Sequence, residues 1–154
     1  MSDYRIEKSR HRVVVTTRSG QTIAGEMFLQ PFARPGGAGE RPVDVLNGAE
    51  QFFPLAVAGD DVVLLSKAQV VHLSAAPWDE PEDEADGSIR RMLVEVTLVN
   101  GETHTASMTV EAPAERSRLL DFLNREHNRF VTLHGLDGLL LINRRVIERV
   151  RPLD

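Results

Sequence analysis

Cysteine is absent from the chain, and with it go a disulfide framework, a thiolate zinc site and a cysteine nucleophile. Aromatic residues are scarce at 5%, with one tryptophan and one tyrosine, so a core has to be built mainly from aliphatic side chains. No window approaches the ~20 consecutive apolar residues of a membrane helix. The opening MSDYRIEKSRHR has no apolar stretch of the kind a secretory signal needs, so the expected location is the cytoplasm, without a membrane partner. Neither half carries an excess of one charge. Residues 1–78 hold eight Lys/Arg against eight Asp/Glu, and residues 91–154 hold nine against nine. The net charge of -5 arises between them, where Asp79, Glu80, Glu82, Asp83, Glu84 and Asp86 stand against Arg90. Neutral halves lack the broad positive field that draws a protein onto nucleic acid, which leaves only a local basic patch for that role.

What is present is enough hydrophobic residue, 42% of the chain, to bury a core, and an internal echo. VDVLNGAEQFF at 43–53 superposes on LDFLNREHNRF at 120–130 when the chain is shifted by 77 positions. Asp44 meets Asp121, Leu46 meets Leu123, Asn47 meets Asn124 and Phe53 meets Phe130. The shift reads without a gap through VVLLSKAQVVHL (62–73) and LLLINRRVIERV (139–150), where Lys67 meets Arg144. Upstream it becomes 81, pairing VVVTTRSGQTIAGEM (13–27) with VEVTLVNGETHTASM (94–108). The difference falls in QPFARPGGAGERP (30–42), where a surface loop tolerates insertion. This is the pattern of a duplication: a first β unit at 1–74, an acidic linker at 75–91 and a second β unit at 92–154.

Each unit opens with strict alternation, Val13, Val15 and Thr17 against Val14, Thr16 and Arg18, which predicts a strand. Ser19-Gly20 and Asn100-Gly101 predict hairpin turns, the second a type I′ turn with both residues at positive φ. Pro42 and Pro113 mark helix starts. Two to three helical turns are expected in the second unit and fewer in the first, where Gly48 interrupts. Three strands then follow in each unit: 53–57, 62–65 and 69–73, then 130–134, 139–142 and 146–150. The predicted fold is mainly β, two tandem five-stranded small barrels of Sm-like or SH3-like type, each with one short helix. Closing such a sheet shortens its free edges.

Leu65-Ser66-Lys67-Ala68-Gln69-Val70 and Ile142-Asn143-Arg144-Arg145-Val146-Ile147 join the last two strands with a spacing that resembles the second motif of the Sm-like family. Ser66 and Asn143 stand at that family's arginine position, and Lys67 and Arg144 at its glycine position. The resemblance implies a small barrel with an RNA surface. Asp44 with Asn47, and Asp121 with Asn124, look like the family's base-contacting Asp/Asn pair. The chain is similar also to tandem β domains of bacterial genomes, which imply no particular activity.

No catalytic constellation is expected, and the chain reads as a non-enzyme without cofactor or metal. His11, His72, His104, His127 and His134 show no ligand spacing, and the serines lack Gly-x-Ser-x-Gly context. The Asp-x-x-Asn pairs have a local explanation, the acid favoured in a first helical turn and the amide ending the helix. Leu46, Leu123, Phe53 and Phe130 are expected in the core. Trp78, Asp44, Asn47, Asp121 and Asn124 are the candidate interaction residues. Arg125, Arg129, Arg144 and Arg145 form the candidate nucleic-acid patch. The leading expectation is a non-catalytic interaction or regulatory module with a protein partner or with itself, and the alternative is a nucleic-acid binder. Deleting residues 79–87 is expected to leave both units folded; a loss of cooperative thermal unfolding in that variant would show the linker to be structural.

Overall fold

The structure, a computed structural model, describes residues 9–31, 39–77, 89–111, 116–125 and 128–153. Chain contacts divide it into two compact units, Met1–Ala76 and Pro77–Asp154. Both are mainly β, as the alternation predicts. The first contains β1 (Ser9–Thr17), β2 (Thr22–Leu29), α1 (Pro42–Leu46), β3 (Phe52–Val57), β4 (Asp61–Ser66), a 3-10 turn at Lys67–Gln69, and β5 (Val70–Ala75). The second contains β6 (Ile89–Leu98), β7 (Thr103–Glu111), α2 (Arg116–Arg125), β8 (Phe130–Gly135), β9 (Gly138–Asn143), a 3-10 turn at Arg144–Val146, and β10 (Ile147–Pro152). Strand order is β5-β1-β2-β3-β4 in the first unit and β10-β6-β7-β8-β9 in the second, with every ladder antiparallel. Among the described residues no helix is long and apolar enough to cross a membrane. The acidic run 79–86 lies outside them.

Both units turn their opening hairpin in the same way, though not as a type I′ turn. Thr17 N–H donates to Gln21 C=O at 2.9 Å and Gly20 N–H to Thr17 C=O at 2.9 Å. The second unit repeats this with Leu98 to Glu102 at 2.8 Å and Gly101 to Leu98 at 2.9 Å. Only the glycines take positive φ, +87° at Gly20 and +92° at Gly101, while Asn100 stays on the negative side. A three-residue loop with glycine in the left-handed position needs just that. Asn100 contributes through its side chain, whose Oδ1 accepts from Glu102 N–H at 2.9 Å. A Cβ on Gly101 would meet nothing within 4 Å, so Gly101→Ala carries only the left-handed penalty, ~1–2 kcal/mol. Urea unfolding of that variant should show a lower midpoint with unchanged slope.

The repeat is carried by core positions. Val13, Val15, Met27 and Leu29 face inward from β1 and β2, and all four are buried. So are Val94, Val96, Met108 and Val110, each 81 positions on. The tip of each hairpin is tied to its 3-10 turn, Arg18 N–H to Gln69 C=O at 2.9 Å and Val99 N–H to Val146 C=O at 2.8 Å. The gapless shift of 77 fails between these landmarks. Met27 pairs with Leu55, but Met108 pairs with Leu133, so β3 and β8 correspond at 78. The extra residue sits in the β3–β4 turn. Val57 faces Asp61 across three loop residues, whereas Gly135 faces Gly138 across two.

The ladder between β2 and β3 is only two pairs long, Glu26 with Ala56 and Met27 with Leu55. Gly25 stands at its end, where an added Cβ would lie 2.5 Å from Ala56 O and 2.8 Å from Leu55 Cγ. The bare Cα lets β3 cross there, and Leu55 fills the space inside. Ala106 is the counterpart in β7 and is buried.

Candidate functional site

The Asp-x-x-Asn pair resolves into helix punctuation in the first unit. Proline occupies the first position of α1, where its missing N–H costs nothing. Asp44, three residues beyond the cap, accepts Arg41 N–H at 2.8 Å and pairs with the Arg41 guanidinium at 3.0 Å. Asn47 closes the helix, its N–H donating to Val43 C=O at 2.9 Å. In the second unit Asp121 is half-buried and Asn124 exposed. The local explanation therefore holds for Asp44 and Asn47. Trp78 lies outside the described residues. Leu46, Phe53 and Phe130 are core, as expected, but Leu123 is half-buried, while Leu119 of α2 is buried.

Lys67 has a role that sequence reasoning missed. It is 1% exposed, and its ammonium donates to Val45 C=O at 2.6 Å and Gly48 C=O at 3.3 Å. These are carbonyls at the end of α1 and just beyond it, where a helix leaves acceptors without internal partners and concentrates partial negative charge. Arg144 repeats the device, its guanidinium donating to Leu123 C=O in the last turn of α2. The signal was the match of one cation with another at equal spacing in both turns.

This changes the basic patch. Arg144 is turned inward onto a helix carbonyl, so it is a structural clasp more than an open cation. Arg144 N–H also donates to Arg129 C=O at 2.9 Å, which brings the starts of β8 and of the 3-10 turn together beside the end of α2. Arg125 and Arg145 are exposed there, and Arg129 is half-buried. The Arg129 Nη1 atom is buried without a hydrogen-bond partner. Asn143 accepts Arg145 N–H at 3.0 Å and so caps the turn. Further along, Arg149 lies 3.3 Å from Glu148 and Arg151 lies 3.1 Å from Glu95, ordinary exposed ion pairs. His104 Nε2 lies 3.3 Å from Glu102 Oε2. His134 Nε2 sits 3.2 Å from Thr109 Oγ1, and His127 lies outside the described residues.

Three large apolar side chains of the first unit are exposed. Phe52 is 57% exposed, Val62 49% and Leu64 69%. Strand alternation places them on one face of the β3–β4 hairpin, where Phe52 faces Ser66, Pro54 faces Leu64 and Ala56 faces Val62. β4 ends its sheet order. Lys67 N–H bonds to Gln51 C=O at 3.0 Å, and that fixes the ladder phase: the N–H and C=O of Val62, Leu64 and Ser66 point away from β3. Val62 N–H is taken by Asp61 Oδ1 at 3.1 Å, a local cover that Leu64 lacks. No charge interrupts Val62–Ser66, whereas β10, which also ends its order, carries Glu148, Arg149 and Arg151. Charges on an edge strand deter pairing with another strand, and β4 has none beyond its first residue.

No family model, no curated protein and no solved structure matches the chain.

Proposed function

We propose that the protein is a non-catalytic interaction module, built from a duplicated small β-barrel, whose contact surface is the β3–β4 hairpin of the first unit. The observation that carries this is the uncharged end strand β4 with Phe52, Val62 and Leu64 exposed beside it. Outward backbone groups give such an edge affinity for another strand, and side chains on the accompanying face give it selectivity. The duplication is supported by the shared strand order, the paired turn geometry and the cation that closes each helix. A photo-reactive p-benzoylphenylalanine in place of Leu64 tests the contact surface. Irradiation in cells that produce the protein should yield a discrete adduct, and the same probe in place of Leu136, on a turn of the second unit, should not. An equal smear from both positions, or no adduct from either, would remove the reading.

A second reading concerns nucleic acid. Arg125 and Arg145 are exposed beside a buried, unpartnered Arg129 Nη1, an arrangement suited to phosphate oxygens. Under this reading single-stranded RNA binds in a fluorescence anisotropy titration, weakens steeply with salt, and is lost in Arg125→Glu/Arg145→Glu. Absence of binding at low salt eliminates it.

A further inference from the structure

We infer that the bond between Asn100 and Gly101 is a modification site, at which the asparagine loses its side-chain amide through a succinimide to give aspartate and isoaspartate. The inference does not depend on the β4 contact surface. The chain contains two Asn-Gly bonds, Asn47-Gly48 and Asn100-Gly101. Glycine has no side chain to obstruct attack by its own nitrogen, so the same chemistry is open to both. The glycine nitrogen gives its proton to hydroxide and attacks the asparagine Cγ. A new N–C bond closes the ring, and the side-chain nitrogen takes a proton from water and leaves as ammonia. Water then opens the ring at either carbonyl, one route leaving aspartate and the other leaving isoaspartate, whose backbone runs through the former side chain.

The structure holds the two bonds differently. Ring closure requires the glycine N–H to leave its acceptor and the backbone to rotate, so it proceeds from a locally opened chain. Asn100 and Gly101 are both exposed at a hairpin tip, and nothing lies within 4 Å of the place a Cβ on Gly101 would take. Opening there frees Gly101 N–H from Leu98 C=O at 2.9 Å and Asn100 Oδ1 from Glu102 N–H at 2.9 Å, and water replaces both partners at an exposed turn. The β6–β7 ladder below, which begins at Thr97 and Thr103, keeps its pairs. Asn47 is half-buried and ends α1, its N–H on Val43 C=O at 2.9 Å. Gly48 N–H is held by Val45 C=O at 3.2 Å, and Gly48 C=O accepts from the buried Lys67 ammonium at 3.3 Å. Moving Gly48 takes an acceptor from a buried cation, which costs more than fraying a solvated tip.

The test is incubation of the full chain at mildly alkaline pH in water enriched in heavy oxygen, once folded and once in urea, followed by digestion and peptide mass spectrometry. In the folded chain Asn100 should convert at least about tenfold faster than Asn47, the ratio that a ~1.4 kcal/mol difference in opening produces. The product should contain isoaspartate and carry one heavy oxygen. In urea the two bonds should react at similar rates, because neither is held. Equal rates in the folded chain, faster loss at Asn47, or an Asn100 amide that survives there while the urea sample reacts would each overturn the proposal. A preference for Asn100 that persists in urea overturns it as well, since its cause then lies outside the fold. Product without isoaspartate would show direct hydrolysis of the side chain and rule out the succinimide route.

Discussion

Gly25→Ala should destabilise the first unit by about 3 kcal/mol, the upper end of what overpacking costs. The added Cβ would lie 2.5 Å from the carbonyl oxygen of Ala56, a backbone atom, and 2.8 Å from Leu55 Cγ. Side-chain rotation relieves the second contact but not the first, so β3 must move away from β2. Their ladder is only two pairs long, and displacement puts both at risk. Leu55 is fully buried, and its shift would reach the packing of Met27. Ala106→Gly at the corresponding place in β7 should cost only about 1 kcal/mol, through chain entropy and the lost methyl contact. Denaturant unfolding of the two variants beside the wild type reads the difference. Equal small effects would show that β2 and β3 are held apart by something other than the missing Cβ.

Lys67→Met should cost about 3 kcal/mol, in keeping with the loss of charge-assisted hydrogen bonds from a buried ammonium to two carbonyls at ~1.5–3 kcal/mol each. Methionine keeps most of the volume, so the loss reports on the polar contacts of the ammonium, among them the hydrogen bonds to Val45 and Gly48 at 2.6 and 3.3 Å. For a unit of this size that is a fall in Tm of roughly 12–24 °C at ~4–8 °C per kcal/mol. Arg144→Met should cost less, since Arg144 is half-buried and water can replace part of its role. Thermal unfolding followed by circular dichroism measures both. If Lys67→Met were neutral, the lysine would be a passenger of the turn and not the clasp of α1.

Much of the fold is legible in the residues because its signals are local. Alternation in β1 and β6, glycine at 20 and 101, and proline at 42 each act within a few positions, and the structure places strands, turns and α1 accordingly. Asn100 departs from the expected type I′ turn because asparagine tolerates positive φ without requiring it, and here its side chain accepts from Glu102 N–H instead. The slip from 77 to 78 is hidden for a different reason. Phe52-Phe53 offers two residues to match Phe130, so the likeness survives either alignment, and only the Met27–Leu55 and Met108–Leu133 pairs decide.

The site was less legible. VVLL in β4 reads as a buried strand, and nothing local says that β4 ends its order and leaves Val62 and Leu64 open. An arginine in a turn looks like a solvent cation, so the inward course of Arg144 onto Leu123 could not be read from spacing. The Asp44/Asn47 motif attracted notice for its polarity, yet its work is done on Arg41 and Val43. The two functional readings thus rest on burial, a property of the assembled units, more than on any motif.

The central claim, that the outward edge of β4 is open to a partner strand, is most directly tested by amide hydrogen exchange of Leu64 and Ser66 in dilute protein. Both N–H groups point away from β3, so in the isolated chain they should exchange nearly as fast as an unstructured peptide. Phe53 and Leu65, already bonded within the hairpin, should exchange slowly under the same conditions. Slow exchange at Leu64 and Ser66 in the dilute chain would contradict the account, because the edge is then already satisfied within the chain.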